Sequence, residues 1–262
     1  MKDSYAVITG ASQGLGKAFA EELAKEKNNL ILVSLPGQNL KEFVEELESQ
    51  YCIKVCYHET DLSLRDNVLA LTEWINSKFN IDLLINNAGI GGSGKFTDVS
   101  GSYIEKIIQL NVLATALLTH QLLPNLQKSP KAYILNVSSL AAFSPMGYKT
   151  VYPASKAFVH SFSRGLYQEL KDTNVFVSVV NPGPMKTNAE VSRRIEEQGF
   201  WARITSLDPH RVARYCIRQL KKRDTVIMVN HFSWLLLRIL PIWLKMPVLT
   251  SKMKREINVI TT

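Results

Sequence analysis

The stretch Thr9-Gly10-Ala11-Ser12-Gln13-Gly14-Leu15-Gly16 joins an apolar segment, Tyr5–Thr9, to an amphipathic segment that begins near residue 15. Gly10, Gly14 and Gly16 permit a tight turn, and they let backbone amides approach an anionic group closely. The first turn of a helix adds unpaired N–H groups and the positive end of the helix dipole. The stretch therefore predicts a strand–turn–helix unit that cradles phosphate, with a plain glycine-rich turn as the alternative.

Outward from this turn, short apolar segments alternate with longer amphipathic ones. The predicted strands are Tyr5–Thr9, Leu30–Ser34, Lys54–His58, Leu83–Asn86, Ala132–Asn136, Phe176–Val180 and Val226–Val229. The predicted helices lie near residues 15–27, 39–50, 64–79, 102–127, 152–172 and 209–221. Almost continuously apolar strands that alternate with helices are typical of a parallel sheet covered on both faces. We predict a doubly wound, Rossmann-like α/β fold with three layers and about seven strands, whose ligand crevice lies at the carboxyl ends of the strands.

The same pattern indicates how the chain is divided. We expect a single domain over residues 1–230, with residues 231–262 as an apolar and basic extension of it. Residues 186–206 interrupt the alternation and predict a mobile segment near the crevice. Ser63, with Asp66 three residues later, predicts the start of the third helix, and Asp208-Pro209 predicts the start of the last.

Length and composition fit one large globular domain, because the 262 residues are 46% hydrophobic and 21% charged. Three cysteines are too few for a disulfide framework and offer no metal site, so they indicate a reducing compartment. Met1-Lys2-Asp3 leads directly into the first strand, so we expect no signal peptide and a cytoplasmic location. The net charge of +8 lies partly in residues 211–223, where it predicts a solvated helix face and no nucleic-acid partner.

Tyr152 and Lys156 are four residues apart in Tyr-Pro-Ala-Ser-Lys, and Ser139 lies thirteen positions before Tyr152. A helix turns once per ~3.6 residues, so Tyr152 and Lys156 share a face. A serine hydroxyl can hold a carbonyl oxygen, a phenol can give it a proton, and a nearby ammonium favours the phenolate. The alternatives are a capping serine, a buried aromatic and a surface lysine. Asn111 lies in an otherwise apolar helical segment, where an unbonded amide is costly, which favours a functional role.

Three more loops follow predicted strands. Asp61-Leu62 follows the third strand and Asn86-Asn87-Ala88-Gly89 the fourth, so both are expected to line the crevice. Asp61 and Asn87 have an alternative interpretation as turn residues. The segment Pro182-Gly183-Pro184-Met185-Lys186-Thr187 leaves the sixth strand, with a simple strand-terminating loop as its alternative.

In order and spacing, these motifs resemble the classical short-chain dehydrogenase/reductase family over roughly residues 4–230. The resemblance implies transfer of a hydride between a nicotinamide cofactor and a carbonyl or secondary alcohol, in dimers or tetramers built on the fourth and fifth helices. It implies that Asn111, Ser139, Tyr152 and Lys156 are catalytic, with Lys156 also on the nicotinamide ribose and Asn111 holding a proton-relaying water. The alternatives are a non-catalytic nucleotide-sensing protein, an isomerase or dehydratase, and a membrane-attached scaffold.

The residues and the resemblance together predict a set of cofactor contacts around the crevice. They are Gly10, Ser12, Gln13, Gly14, Leu15, Gly16, Ser34, Asp61, Leu62, Asn87, Ala88, Gly89, Tyr152, Lys156, Pro182, Gly183, Met185 and Thr187.

The end of the second strand, Leu32–Gly37, bears on the choice between NAD and NADP. NAD-preferring relatives usually carry an acid there, and this segment has none. NADP-preferring relatives often carry an arginine just after the strand, where this chain has Leu35. The polar side chains that can hydrogen-bond a phosphate are Ser12, Gln13, Ser34, Gln38 and Asn39. We predict that NADP(H) is preferred, with NAD(H) as the alternative.

Residues 232–247 form an apolar run that Arg238, Lys245 and two prolines interrupt, so a membrane span is not expected. The run predicts either a helix packed over the substrate mouth or a neighbouring subunit, or a peripheral membrane contact through its tryptophans and basic residues. It resembles the tail of reductases that act on lipid-like ketones, which implies a bulky apolar substrate. The candidate pocket residues are Phe143, Met146, Tyr148, Met185, Phe200 and Trp201.

Overall fold

The computed structural model describes residues 4–185 and 207–260. Its seven strands form one parallel sheet in the order β3-β2-β1-β4-β5-β6-β7. They are β1 Ser4–Thr9, β2 Asn29–Ser34, β3 Val55–Glu59, β4 Asn80–Asn86, β5 Ala132–Val137, β6 Val175–Asn181 and β7 Val226–Met228. The predicted doubly wound parallel sheet of about seven strands is confirmed.

Helices follow most strands, as the alternation predicts. They are α1 Gly14–Lys25, α2 Leu40–Tyr51, α3 Arg65–Lys78, α4 Gly101–Ile108, α5 Thr115–Leu126, α6 Val151–Leu170, α7 Pro209–Lys221, α8 His231–Ile239 and α9 Ile242–Ile260. A π-helical segment, Gln109–Ala114, joins α4 to α5, and a short 3₁₀ helix, Leu140–Phe143, follows β5.

Both faces of the sheet are buried under helices, which gives the three predicted layers. Successive side chains of a strand point to opposite faces. Ala6 and Ile8 of β1 pack into a core with α1, α2 and α7, whereas Val7 between them packs into a second core with α3, α5 and α6. This burial on both faces explains why the strands are apolar almost without interruption.

The helical run Gly101–Leu126 is long and apolar enough to cross a membrane by length and composition alone. In this fold, however, its side chains Leu110, Leu118 and Leu122 lie in the core. Asn125 accepts a hydrogen bond from the Ile81 amide at 3.1 Å, which ties the run to β4. The run is therefore part of the packed core.

One of the two predicted helix caps is confirmed and the other is wrong. Asp208 accepts a hydrogen bond from the His210 amide at 2.9 Å, and α7 begins at the following proline. Ser63 does not cap α3, whose N-cap residue is Leu64. Instead, the Ser63 amide and hydroxyl both donate to Asp61 Oδ1, at 2.8 and 2.7 Å. A charged carboxylate is a strong acceptor, so Ser63 donates to Asp61 instead of accepting from a helix amide. The turn therefore forms around Asp61.

Ion pairs join α7 to α1 and engage part of the basic face of α7. The buried Glu22 carboxylate accepts from Arg214 at 2.9 and 3.2 Å and from Lys25 at 2.7 Å. The Arg214 hydrogen bond holds the pKa of Glu22 below its usual range, although burial opposes this. Lys221 pairs with Glu26 at 2.7 Å. These ion pairs hold α7 against α1 on one face of the sheet.

The C-terminal helices are attached to the loops that follow β4 and β5. Lys245 donates to the Phe143 carbonyl at 3.0 Å, and Thr250 accepts from the Gly147 amide at 2.9 Å. Met253 is buried, and the Ser93 hydroxyl lies 3.9 Å from its sulfur. The tail therefore packs beside the carboxyl edge of the sheet, and the choice between the two predicted roles stays a prediction.

Candidate active site

The site lies where the strand order reverses, because β1 has β2 on one side and β4 on the other. Asn87 Nδ2 donates to the carbonyls of Thr9, at 2.9 Å, and Gly10, at 3.2 Å. The Thr9 hydroxyl accepts from the amides of Asn87 and Ala88, both at 3.0 Å. The glycine turn and the loop after β4 are thus joined, and the crevice between two such loops is where parallel α/β sheets bind ligands.

The glycine turn leaves the start of α1 open to an anion. Gly10 and Gly14 adopt left-handed backbone conformations, with φ of 66° and 56°, which glycine tolerates best. The N-cap residue is Gln13, and within the described chain it makes no side-chain cap bond and no acid occupies the first turn. The first amides of α1 therefore have no side-chain acceptor, as a pyrophosphate site requires.

Gly16 leaves no room for a side chain. A Cβ atom there would lie 2.0 Å from the Gly10 carbonyl oxygen and 2.6 Å from Asn87 Nδ2. The turn can close only because both the backbone and the Asn87 amide approach α1 at this point. The fit of residues 10–16 to a dinucleotide pyrophosphate therefore depends on this glycine.

We expect Gly16→Ala to weaken NADPH binding by about 30-fold, because the new methyl group pushes the turn away from the helix start and misaligns its amides (about 2 kcal/mol). Fluorescence titration with NADPH measures the change. Gly165→Ala is the matched control, because a Cβ at that helical glycine meets no atom within 4 Å. Equal NADPH affinity of Gly16→Ala and the wild type would contradict this prediction.

The structure brings Ser139, Tyr152 and Lys156 together, as predicted. Ser139 stands at the start of the 3₁₀ helix, where its hydroxyl accepts from the Ala141 amide at 3.1 Å, and it lies close enough to the Tyr152 phenol to exert a lowering effect on the pKa of that group. Lys156 lies one turn further along α6, with its ammonium 6.0 Å from the centroid of the Tyr152 ring. These three residues form a phenol–hydroxyl–ammonium group beside the glycine turn.

Lys156 is held deep in the fold. It is only 6% exposed, and its ammonium donates to the Val137 carbonyl at 2.9 Å. The Ser138 hydroxyl donates to the Lys156 carbonyl at 2.7 Å, which ties α6 to the end of β5. Burial lowers the pKa of Lys156 to about 8. The ammonium is therefore charged at neutral pH but loses its proton far more readily than an ordinary lysine.

The pKa of Tyr152 moves in the opposite direction to the one expected from a neighbouring ammonium. Burial raises it, and the nearby Ser139 hydroxyl opposes that rise only in part. The Lys156 ammonium donates to Val137 and lies over the ring, so it does not supply the expected stabilisation of a phenolate. The phenol consequently keeps its proton at neutral pH, which suits a proton donor.

Asn111 lies in the π-helical segment and bonds to the loop after β4. Its amide donates to the Ile90 carbonyl at 2.9 Å and to the Ser155 hydroxyl at 3.0 Å, and it accepts from the Ile90 amide at 2.9 Å. A Cβ on Gly89 would lie 3.0 Å from Asn111 Oδ1 and 3.2 Å from Lys156 Nζ. Asn111 therefore positions the loop that borders Lys156, and its predicted water relay stays a prediction.

The loops after β2 and β3 lie at the same carboxyl edge of the sheet as the glycine turn. Ser34 is buried and its hydroxyl donates to the Leu35 carbonyl at 3.0 Å, whereas the Leu35 side chain is exposed. Asp61 makes the turn contacts of its alternative interpretation, and Leu62 is buried. Burial raises the pKa of Asp61, but the hydrogen bonds from Ser63 and the Lys106 charge together bring it below its usual value.

The loop after β6 lies against the 3₁₀ helix. The Pro182 carbonyl accepts from the Leu140 amide at 2.9 Å, and Gly183 lies beside Leu140. Met185 pairs with Leu207 in an isolated parallel bridge. Four predictions concern residues outside the described ranges, namely Thr187, Phe200, Trp201 and the mobile segment 186–206.

Sequence reasoning missed two residues of the site. The Lys149 ammonium lies 5.1 Å from the centroid of the Tyr152 ring. It belongs to an irregular segment in which Tyr148 has a φ of 62°, so no periodic pattern marks it. The Ser155 hydroxyl donates to the Tyr152 carbonyl at 2.7 Å and accepts from Asn111. Its place three residues after Tyr152 on one helix face was the available signal.

A groove at the opposite edge of the sheet is separate from this site. It lies at the amino ends of the strands, and Ser4, Asn80 and Tyr133 are among the residues that line it. None of its lining residues belongs to the glycine turn or to the phenol–hydroxyl–ammonium group. The chemistry therefore belongs to the carboxyl edge.

A doubly wound sheet, a phosphate turn at its switch point and an adjacent phenol–hydroxyl–ammonium group define a dinucleotide-dependent oxidoreductase. The sequence matches the short chain dehydrogenase family over residues 4–198. The chain belongs to that family, as its motifs predict.

Individual relatives agree with this assignment. The chain is 36% identical over 183 residues to the very-long-chain 3-oxoacyl-CoA reductase of Anas platyrhynchos, which covers 68% of this chain and 59% of that protein. The structure resembles a short-chain dehydrogenase from Sphingobium yanoikuyae in complex with NADPH, with a TM-score of 0.79, 27% identity and coverage of 87% and 88% of the two chains. It also resembles the bulky-bulky ketone specific alcohol dehydrogenase from Comamonas testosteroni, with a TM-score of 0.77, 26% identity and 87% coverage of each chain.

Proposed function

We propose that this protein is an NADP(H)-dependent reductase that converts a ketone on a bulky, apolar, lipid-like molecule into the secondary alcohol. The observation that carries the proposal is the grouping of Ser139 and Tyr152 with the buried Lys156, whose ammonium lies 6.0 Å from the centroid of the Tyr152 ring, at the crevice that the glycine turn borders. A non-catalytic nucleotide sensor would have no need for a phenol, a hydroxyl and an ammonium grouped at that place.

The chain's own residues supply the proton and stabilise charge in the reaction. When bound, reduced nicotinamide supplies a hydride to the carbonyl carbon, and negative charge then develops on the carbonyl oxygen. The Ser139 hydroxyl holds that oxygen, and the Tyr152 phenol, kept protonated by burial, donates its proton to it. The amides of residues 14–16 would hold the pyrophosphate, and Lys156 would bind the nicotinamide ribose.

The preference for NADP(H) rests on the segment that follows β2. It contains no acid to repel a 2′-phosphate, and its exposed residues 35–39 leave space for one. The NADPH complex of the Sphingobium yanoikuyae relative supports the same choice. The polar side chains that can hydrogen-bond such a phosphate are Ser12, Gln13, Ser34, Gln38 and Asn39.

We expect NADPH to bind at least about 10-fold more tightly than NADH, and Leu35→Arg to widen that ratio by about another 10-fold through a charge-assisted hydrogen bond to the 2′-phosphate. Leu35 is 43% exposed, so an arginine fits there without repacking the core. Paired fluorescence titrations with the two cofactors measure the ratio, and Leu35→Gln controls for side-chain length. Tighter binding of NADH by the wild type would reverse the assignment.

A bulky apolar substrate is supported by the residues beside the catalytic group. Phe143, Met146, Tyr148 and Met185 are half-buried near the loops that carry Ser139 and Tyr152. The similar proteins that act on a bulky-bulky ketone and on very-long-chain 3-oxoacyl-CoA point the same way. A panel of ketones, assayed by the loss of NADPH absorbance, tests the proposal. Reduction of small polar ketones alone would refute the substrate class but leave the reductase activity in place.

Homo-oligomerisation and a cytoplasmic location also belong to this proposal. On α6, Phe158 is 39% exposed and stacks on Phe162 with the ring centroids 5.7 Å apart, which offers an apolar surface for a second subunit. The three cysteines are free, and Cys216 is buried, which suits a reducing compartment. Light scattering would decide between a monomer and the proposed dimer or tetramer.

A further inference from the structure

Helix α8 turns an apolar stripe toward solvent. Phe232, Leu235, Leu236 and Ile239 follow the spacing of three and four residues that places side chains on one helix face. They are 77%, 48%, 47% and 69% exposed. In a globular protein such a stripe normally faces the core, so its exposure here requires an explanation.

The stripe continues into the start of α9. Ile242 and Trp243 are 54% and 71% exposed, and an exposed tryptophan beside aliphatic side chains is common where proteins meet a membrane interface. We call these six residues, from Phe232 to Trp243, the apolar tail face. Contiguous exposed apolar surface of this kind marks an interaction site.

The apolar tail face does not fold back onto the body, because other parts of the tail already make those contacts. Leu237 and Leu240 of the same segment are half-buried. Lys245 bonds to the Phe143 carbonyl, and Thr250 bonds to the Gly147 amide. The tail is thus anchored by its other side, and the apolar face remains outward.

The charge of the tail selects the occupant of this face. Over residues 231–262 the sequence contains five lysines and arginines, Arg238, Lys245, Lys252, Lys254 and Arg255, and a single carboxylate side chain, Glu256. Lys252, Lys254 and Arg255 are exposed. A second copy docked on this face would bring the like charges of two tails together, with only one carboxylate in each tail to offset five positive charges. A bilayer that contains anionic lipid offers both an apolar interior and the opposite charge.

We propose that the apolar tail face docks on the surface of an anionic phospholipid bilayer. The anchoring contacts determine which part of the protein faces the bilayer, because Phe143 and Gly147 belong to the loop that runs from Ser139 to Tyr152. Docking therefore places the mouth of the catalytic crevice against the bilayer. A lipid-like ketone then reaches Tyr152 from the membrane without crossing water, a step that rests on the proposed function.

Co-sedimentation of the full chain with vesicles tests the docking. The vesicles are pure phosphatidylcholine, or phosphatidylcholine with about one-third phosphatidylglycerol. We expect binding to the anionic vesicles to be at least about 10-fold tighter and to weaken in high salt. Ile239→Glu/Trp243→Glu should lose at least about 10-fold of this binding, because two charges enter the docked face. Leu64→Glu, at a 57% exposed leucine before α3, is the matched control and should bind as the wild type does.

Three results would overturn the proposal. They are the absence of binding to either vesicle, equal binding by the double variant, and light scattering that shows an oligomer which the double variant dissociates. Because both substituted residues are exposed, thermal melting should be unchanged. Turnover of a water-soluble ketone without vesicles tests the reductase function separately. A chain that binds anionic vesicles but oxidises no NADPH would refute the proposed function and support the docking.

Discussion

The Tyr152→Phe variant is expected to lose about 10³-fold in kcat/KM for ketone reduction, the upper range of a positioned proton donor together with the stabilisation it gives to the developing charge. Only the phenolic oxygen is removed, so the ring keeps its place against the loop after β4, where a Cβ on Gly91 would lie 3.2 Å from Tyr152 Cε2. The Ser139 hydroxyl remains, but an aliphatic alcohol is a far weaker acid than a phenol and does not replace the proton that Tyr152 supplies. Steady-state assays of NADPH oxidation measure the loss.

A matched variant on the same helix separates this effect from a change in folding. Tyr167 is half-buried on α6 and packs against Phe176 at a centroid distance of 5.6 Å, far from the crevice. Tyr167→Phe should keep full activity, and both variants should bind NADPH within about 3-fold of the wild type. If Tyr152→Phe retained activity toward every reducible substrate, the phenol would not be the proton donor, and the nucleotide-sensing alternative would return.

The sheet could be predicted because its residues carry the pattern by themselves. Parallel strands buried on both faces need continuous apolar segments, and all seven of them were visible. The start of β4 was missed, since Asn80 and Asp82 are polar and their pairing with β1 depends on the register of a distant strand. The cap of α3 was missed for a similar reason. Two carboxylates competed for Ser63, and only the folded turn decides between them.

The catalytic group could be predicted where its members are close in sequence. Tyr152 and Lys156 are related by one helical turn, and the glycine spacing marks the phosphate turn. The direction of the Tyr152 pKa shift could not be predicted, because it depends on how deeply the phenol is buried and on where the Lys156 proton is donated. Those contacts join β5 to α6, and no local sequence pattern predicts them.

Lys156 shows most directly that a residue of the site is kept at a cost to stability. Its pKa is about 8 in the folded chain and 10.5 for an ordinary lysine, so charging it inside the fold costs about 3 kcal/mol. Methionine has a similar length and no charge, although its use leaves the Val137 carbonyl without this donor, which costs about 1 kcal/mol. We expect Lys156→Met to raise the free energy of unfolding by about 1–2 kcal/mol at neutral pH.

The same variant is expected to lose about 10²-fold or more in kcat/KM, because it removes the proposed ligand of the nicotinamide ribose. Greater stability with less activity distinguishes a catalytic lysine from a structural one, whose removal would lower both. Denaturant unfolding and NADPH oxidation measure the two quantities. Lys171→Met, at an exposed lysine that ends α6, should change the free energy of unfolding by less than about 0.5 kcal/mol.

The lowered pKa of Lys156 also predicts how the free energy of unfolding changes with pH. Between pH 8 and 10.5 the folded wild type binds fewer protons than the unfolded chain, because the folded pKa of Lys156 is the lower one. The contribution of Lys156 to the free energy of unfolding of the wild type therefore rises with pH across that window. This contribution is lowest below pH 8. Lys156→Met lacks this titration, so its advantage should be largest at neutral pH and should shrink as the pH approaches 10.5. A difference in unfolding free energy that stayed constant with pH would show that Lys156 is not buried as a charged group.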